Sequence, residues 1–222
     1  LLWEVSRDGT GLGYIFGTIH VDDKNILDIP SVVLASLDSS DYFSMEAIPT
    51  PEDAMDFSLS IFFMNGNRLD TILPTVIFNE TVRILDKYHL TKDMVAVMQP
   101  WAAYIIMSYP ANMGTVLDLK LLELAQINGA QVSGLESSRE QIEIFSEMEM
   151  EDQVRVLVDA VCHYDTVLSD LSMLKNLYLQ RDLEGIYIYG QKYSFEDNSV
   201  YENISDRLLL QRNTKMVERM ID

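Results

Sequence analysis

The chain is 222 residues long, 48% hydrophobic, with a formal charge of −19 and a pI near 4.3. That length can bury one α/β core, while the charge argues against a nucleic-acid partner or an anionic membrane surface, because neutralising phosphates takes a basic stripe. The sole cysteine, Cys162, has no intramolecular disulfide partner, and no run of about 18 apolar residues exists, so no membrane insertion is expected of this segment.

Residues 2–7 and 13–20 alternate like strands, and Asp8-Gly9-Thr10-Gly11 between them supplies a hairpin turn. The Gly9, Gly11, Gly13 spacing lies between two strands and opens no helix, so it reads as hairpin rather than as a phosphate loop. Pro30 begins a short helix through about Leu37, with Val32, Val33 and Leu37 on one face. Residues 41–47 form another strand, which ends near Glu46. Strand, helix and strand in this order make a right-handed crossover unit, which sets two parallel strand ends side by side and brings His20 near Glu46. Thr18 and His20 share one face of the first strand, as Ser44 and Glu46 do of the second.

From 52 to about 130 the pattern is helical, with breaks at Asn65-Gly66-Asn67, Pro74, His89-Leu90-Thr91, Pro110 and Gly114, and Thr91 is an N-cap. Asn128-Gly129 ends a helix that starts near Thr115, and 131–136 follows as a third strand with Glu136 at its end. Beyond 138 the chain reads as helix. Val154, Leu157, Val158, Val161, Leu168 and Leu171 give one long amphipathic helix, and the last runs from about Glu196 to the end. The stretch 140–152 has no Lys or Arg and reads as a solvated face with its loop, with recruitment of a metal or a basic partner as the alternative. His89 and His163 read as structural, and Trp101 with Tyr104 as core.

In open α/β sheets ligands bind beyond the C-terminal strand ends, where His20, Glu46 and Glu136 would project. Imidazole and carboxylate suit Mn²⁺, Co²⁺, Fe²⁺ and Zn²⁺, and such an ion with open positions acidifies water for hydrolysis. Each residue also has a plainer reading. His20 can be a hydrogen-bonded structural histidine, Glu46 a solvated strand-end carboxylate, Glu136 a cap on the helix starting near Ser137, and Arg212 a surface partner of Glu218 or Asp206.

Taken in order, Leu2-Trp3-Glu4-Val5, Gly17-Thr18-Ile19-His20, the strand ending at Glu46, Gln99-Pro100-Trp101, Gly134-Leu135-Glu136 with Gln141, and Gln211-Arg212-Asn213 resemble the TraB/GumN/Tiki family along nearly the whole chain. The resemblance implies a single α/β domain over 1–222, similar to the EreA/ChaN-like architecture, with a mixed sheet, N-terminal hairpin, βαβ unit, large helical insertion and helical C-terminal part. It implies a metal-dependent hydrolase, as the Tiki branch is described, acting on a peptide or protein substrate with Mn²⁺ or Co²⁺, or else Zn²⁺. His20 and Glu46 are then metal ligands or catalytic groups, Glu136 a further acidic site residue and Arg212 a site arginine. A non-catalytic module of the same fold, holding a metal, haem or small ligand, is the alternative. Asp118 resembles the family's Gly-x-Asp position with the glycine displaced to Gly114, and is left out of the expected site; support of a ligand from behind is its alternative task. No Gly-x-x-His follows His20, so the chain is expected to be truncated before a second such motif. An extracytoplasmic home is what the resemblance suggests.

Overall fold

A computed structural model of the chain describes residues 1–191 and 199–221. In chain order the hairpin strands β1 (Leu2–Arg7) and β2 (Thr10–Phe16) are followed by α1 (Ser31–Asp38), β3 (Tyr42–Met45), α2 (Pro51–Ser60), α3 (Leu69–Ile72), α4 (Thr75–Leu85), α5 (Lys92–Ala96) and α6 (Pro100–Met107). Then come α7 (Leu117–Ile127), β4 (Gln131–Gly134), α8 (Ser138–Ser146), α9 (Met150–Cys162), α10 (Tyr164–Leu179), α11 (Leu183–Gln191), α12 (Ser199–Ser205) and, after a π-helical stretch Asp206–Gln211, α13 (Arg212–Ile221). The class is mixed α/β, as expected, with helix dominant. Among the described residues no helix is long and apolar enough to cross a membrane.

Asp8 and Gly9 take positive φ of 52° and 78°, which gives a two-residue turn whose twist suits the flanking strands. Arg7 therefore pairs with Thr10, and β2 begins earlier than its glycines suggested. Val5 lies opposite Gly13 and Ser6 opposite Gly11, so Leu12 is bulged out between them.

The expected crossover between β2 and β3 does not form among the described residues. Among the described residues β2 pairs with β1 alone, and β3 pairs in parallel with β4, with Tyr42, Ser44 and Met45 opposite Gln131, Ser133 and Gly134. The cause lies at the end of β2. The Gly17 N–H still donates to the Leu1 carbonyl at 3.0 Å, a further rung with β1, but the Gly17 carbonyl accepts from the Tyr178 hydroxyl at 2.8 Å instead of from a neighbouring strand. The strand stops at Phe16, and His20 lies on the loop beyond it. Similarly β4 stops at Gly134, although the Leu135 N–H still donates to the Met45 carbonyl.

Two compact units result. The first comprises Leu1–Ala47, Met113–Leu135 and the described part of Ser172–Tyr193. Its core sets Ile26, Val33 and Leu37 against Leu117, Leu121 and Ala125, with Phe16, Ile19, Phe43, Val132 and Tyr178 packed on it. The second comprises Ile48–Asn112, Glu136–Leu171 and the described part of Ser194–Asp222. It is helical, around Leu69, Ile84, Leu85, Val95, Met98, Trp101, Val156 and Leu157, each at most 1% exposed. Thr50 with Asp53 and Ser137 with Glu140 form capping boxes that start α2 and α8, and Thr91 caps α5 as expected. The long amphipathic helix expected through 154–171 is two helices, α9 and α10, broken at His163, whose ring Nδ1 and backbone N–H both face the Asp159 carbonyl at 2.9 and 3.0 Å. Of the last expected helix, 199–221 is helical and 196–198 lies outside the described residues.

Candidate functional site

His20 stands on a loop of the first unit that is tied down on both sides of it. Before it, the Tyr178 hydroxyl holds the Gly17 carbonyl and the Thr18 hydroxyl donates to Asp118 Oδ1 at 2.6 Å. After it, the Gly114 N–H donates to Asp22 Oδ2 at 3.0 Å and Lys175 Nζ donates to Asp23 Oδ2 at 3.0 Å. Two helices supply these anchors. Asp118 lies in the first turn of α7 and Gly114 just ahead of it, while Lys175 and Tyr178 are three residues apart and so neighbours on α10. Gly114 has a steric reason to be glycine, since a Cβ there would lie 2.4 Å from Asp22 Oδ2.

Between these anchors the His20 ring meets Asp118, with Nε2 3.5 Å from Oδ2. The His20 side chain is 48% exposed and that of Asp118 only 11%. Thr18 and His20 lie beyond the end of β2 and so share no strand face, but both reach the same carboxylate, Asp118. Asp118 lies in the first turn of α7 and uses Oδ1 for Thr18, while Oδ2 is buried with no hydrogen-bond partner. Burial, and then the charge of Asp118, push the Tyr178 phenol up to about 12, so it remains a donor to Gly17 through the neutral range. The hydrogen bond from Lys175 leads the causes that hold the Asp23 carboxyl below its usual range.

Glu46 is exposed, one residue past β3, and belongs to the same unit as His20. Glu136 and Arg212 meet each other in the second unit. Arg212 Nε lies 3.1 Å from both Glu136 oxygens, Nη2 closes a second bond to Oε1, and Gln141 Nε2 donates to Oε1 at 2.8 Å. Their side chains are 5% and 17% exposed, so Arg212 is not the surface partner of Glu218 or Asp206 that its helix suggested. The Gly-Leu-Glu segment and its glutamine thus converge on one buried carboxylate.

Sequence reasoning left Asp118 aside because its glycine stood in the wrong place; Tyr178 and Lys175 carried no motif at all. The signal for Asp118 was present in a weaker form, as an acidic residue in the first turn of a helix entered just after a glycine.

An imidazole with a buried carboxylate behind it is a donor of the kind that divalent first-row metals take. In kind, then, the residues fit such an ion. In number they are fewer than a full protein set, for among the described residues no three His, Cys, Asp or Glu side chains converge as metal ligands.

Fold and site define an α/β protein with a loop-borne histidine backed by a buried carboxylate. The sequence model of the TraB/PrgY/gumN family matches residues 1–222, the whole chain, and the chain belongs to that family. No curated protein and no solved structure matches it.

Proposed function

We propose that the chain is a metal-dependent hydrolase of peptide bonds whose working centre is His20. The observation that carries this reading is a half-exposed imidazole set against a buried carboxylate on a loop anchored at Gly17, Thr18, Asp22 and Asp23. A surface histidine with only a structural task gains little from four anchors, whereas a group that must meet a reacting atom gains from being held in place beforehand. His20 and Glu46 would hold Mn²⁺, Co²⁺ or Zn²⁺, and the bound ion would supply an acidified water. Asp118 orients the imidazole, Thr18 orients Asp118, and the loop anchors resist displacement when substrate is seated. Glu136 and Arg212 enter the proposal as a mutually neutralised pair, with Gln141, and not as independent catalysts.

The test is calorimetric metal binding together with cleavage of a diverse peptide library in the presence of Mn²⁺, Co²⁺ or Zn²⁺, for the parent, His20→Ala and Glu46→Ala. Stoichiometric binding and metal-dependent cleavage, both lost in the variants, are expected. Binding that needs His20 but accompanies no cleavage would move the protein to the alternative, a binding module of the same fold. Absence of both would end the hydrolase reading.

A further inference from the structure

We infer that Asp118 fixes His20 as the Nε2–H tautomer, so that the nitrogen presented to a proton, ligand or metal ion is Nδ1. The inference rests on the reading of His20 as a site residue and adds which atom acts and which residue selects it. An ionised carboxylate has acceptors only, so the ring nitrogen that faces it must carry the proton. The nitrogen facing it is Nε2, 3.5 Å from Oδ2. The competing donors around it are committed elsewhere. Thr18 gives its hydroxyl to Oδ1, Tyr178 gives its own to the Gly17 carbonyl, and Lys175 pairs with Asp23. Oδ2 is a buried acceptor with no hydrogen-bond partner, and the His20 ring lies 3.5 Å from it. Buried polar atoms are rarely left unpaired, and the His20 ring nitrogen, 3.5 Å away, would need to approach by only a few tenths of an ångström to reach hydrogen-bond length.

Which nitrogen of a histidine binds a ligand is set by the hydrogen bond that the other makes. With Nε2 directed at Asp118, the lone pair of Nδ1 is open, and Nδ1 lies on the backbone side of the ring. Whatever binds it comes close to the main chain of the anchored loop. Asp118 is thus a positioning residue, acting through His20.

Nitrogen-15 spectra of the whole chain labelled at histidine, without metal and near pH 8, read this directly, since a neutral imidazole carries its proton on one ring nitrogen alone. There are three histidines to assign, and His20→Gln identifies the first. His163 is an internal reference of opposite type, because its Nδ1 lies 2.9 Å from the Asp159 carbonyl, which can only accept. For His20 the expected spectrum has Nε2 protonated and Nδ1 bare, with the two averaging together in Asp118→Ala. Asp118→Asn, which keeps the size of the side chain but replaces the acceptor-only carboxylate with an amide, should also lose the parent pattern, and it guards against an Asp118→Ala variant that fails to fold. Addition of Zn²⁺ should then move Nδ1 while Nε2 keeps its proton. A protonated Nδ1, averaged resonances in the parent, a pattern unchanged in folded Asp118→Ala, or a zinc shift at Nε2 would each overturn the inference. Because the spectra report ring nitrogens and not turnover, a failed tautomer assignment leaves peptide hydrolysis untouched, and absent hydrolysis leaves the tautomer readable.

Discussion

Removing the Arg212 guanidinium should cost the second unit about 3 kcal/mol. The pair it forms with Glu136 is among the most enclosed charges described, with side chains 17% and 5% exposed. In Arg212→Ala the Glu136 carboxylate loses the bonds from Nε and Nη2 and keeps the one from Gln141, a neutral donor. Breaking a buried pair from one side typically costs about 3–5 kcal/mol, and the partial exposure of Arg212 lets water reach the vacated space, which places the value at the lower end. Urea unfolding can follow this through Trp101, 1% exposed in the second unit, in a Trp3→Phe background that removes the other tryptophan. With a slope of about 2 kcal/mol per molar, the midpoint should fall by about 1.5 M. The double variant Glu136→Gln with Arg212→Met removes both charges and should recover to within about 1 kcal/mol of the parent, because a buried pair is worth little relative to neutral groups that fill its space. A single-variant loss under about 1 kcal/mol would show that solvent already screens the pair and would refute the reasoning.

Acidification should weaken the second unit through Glu140. Its carboxyl is held down to about 2, first by the Arg219 guanidinium and then by the Ser137 N–H, so its contribution is complete above the ordinary value of 4.5 and is lost as pH falls from there toward 2. Unfolding midpoints measured across that range should fall less steeply in Arg219→Gln than in the parent. Gly114→Ala should push the Asp22 carboxylate out of its bond to the 114 N–H, cost the first unit about 1 kcal/mol and speed amide exchange over 17–23; Asp22→Ala should match it, and the two together should add little. Tyr178→Phe should cost a similar amount, about 1 kcal/mol. Because the raised phenol pKa means stability present below the ordinary value of 10 and lost as pH rises toward about 12, the variant should also lack that alkaline loss in a stability titration.

Local chemistry was legible wherever a short-range rule decided the outcome. Thr91 caps α5, Gly129 at φ 80° follows the end of α7, and Asp8-Gly9 turns the hairpin, each for reasons confined to a few neighbouring residues. Strand pairing was not legible to the same degree. Nothing local in Tyr14-Ile15-Phe16-Gly17-Thr18-Ile19-His20 says that the alternation will be interrupted at Gly17, because the interruption comes from Tyr178, 161 positions away. The partner of His20 was hidden for the same kind of reason. Composition and motif order pointed to a carboxylate, and Glu46 and Glu136 had the stronger pattern, yet the carboxylate that meets the ring is Asp118, 100 positions from the threonine that orients it.

Charge supply explains where the tertiary ties fall. With 35 acidic residues and 16 lysines and arginines, cations are scarce, and ordinary surface pairs would bring little stability. Several of them are instead spent across long stretches of chain: Arg207 on Glu147, Arg212 on Glu136, Arg219 on Glu140 and Lys175 on Asp23. The first three bind the C-terminal helices of the second unit to the acidic stretch around α8, so the face over 140–152, expected to be solvated, is partly neutralised from within its own unit through Glu140 and Glu147. In the first unit, the lysine that crosses 152 positions lands on the loop that carries His20. A net charge of −19 pushes an acidic loop outward, and Asp22 and Asp23 make this loop more acidic still. One carboxylate is held there by a backbone amide and the other by a cation, which keeps the histidine between them and Thr18 facing its carboxylate.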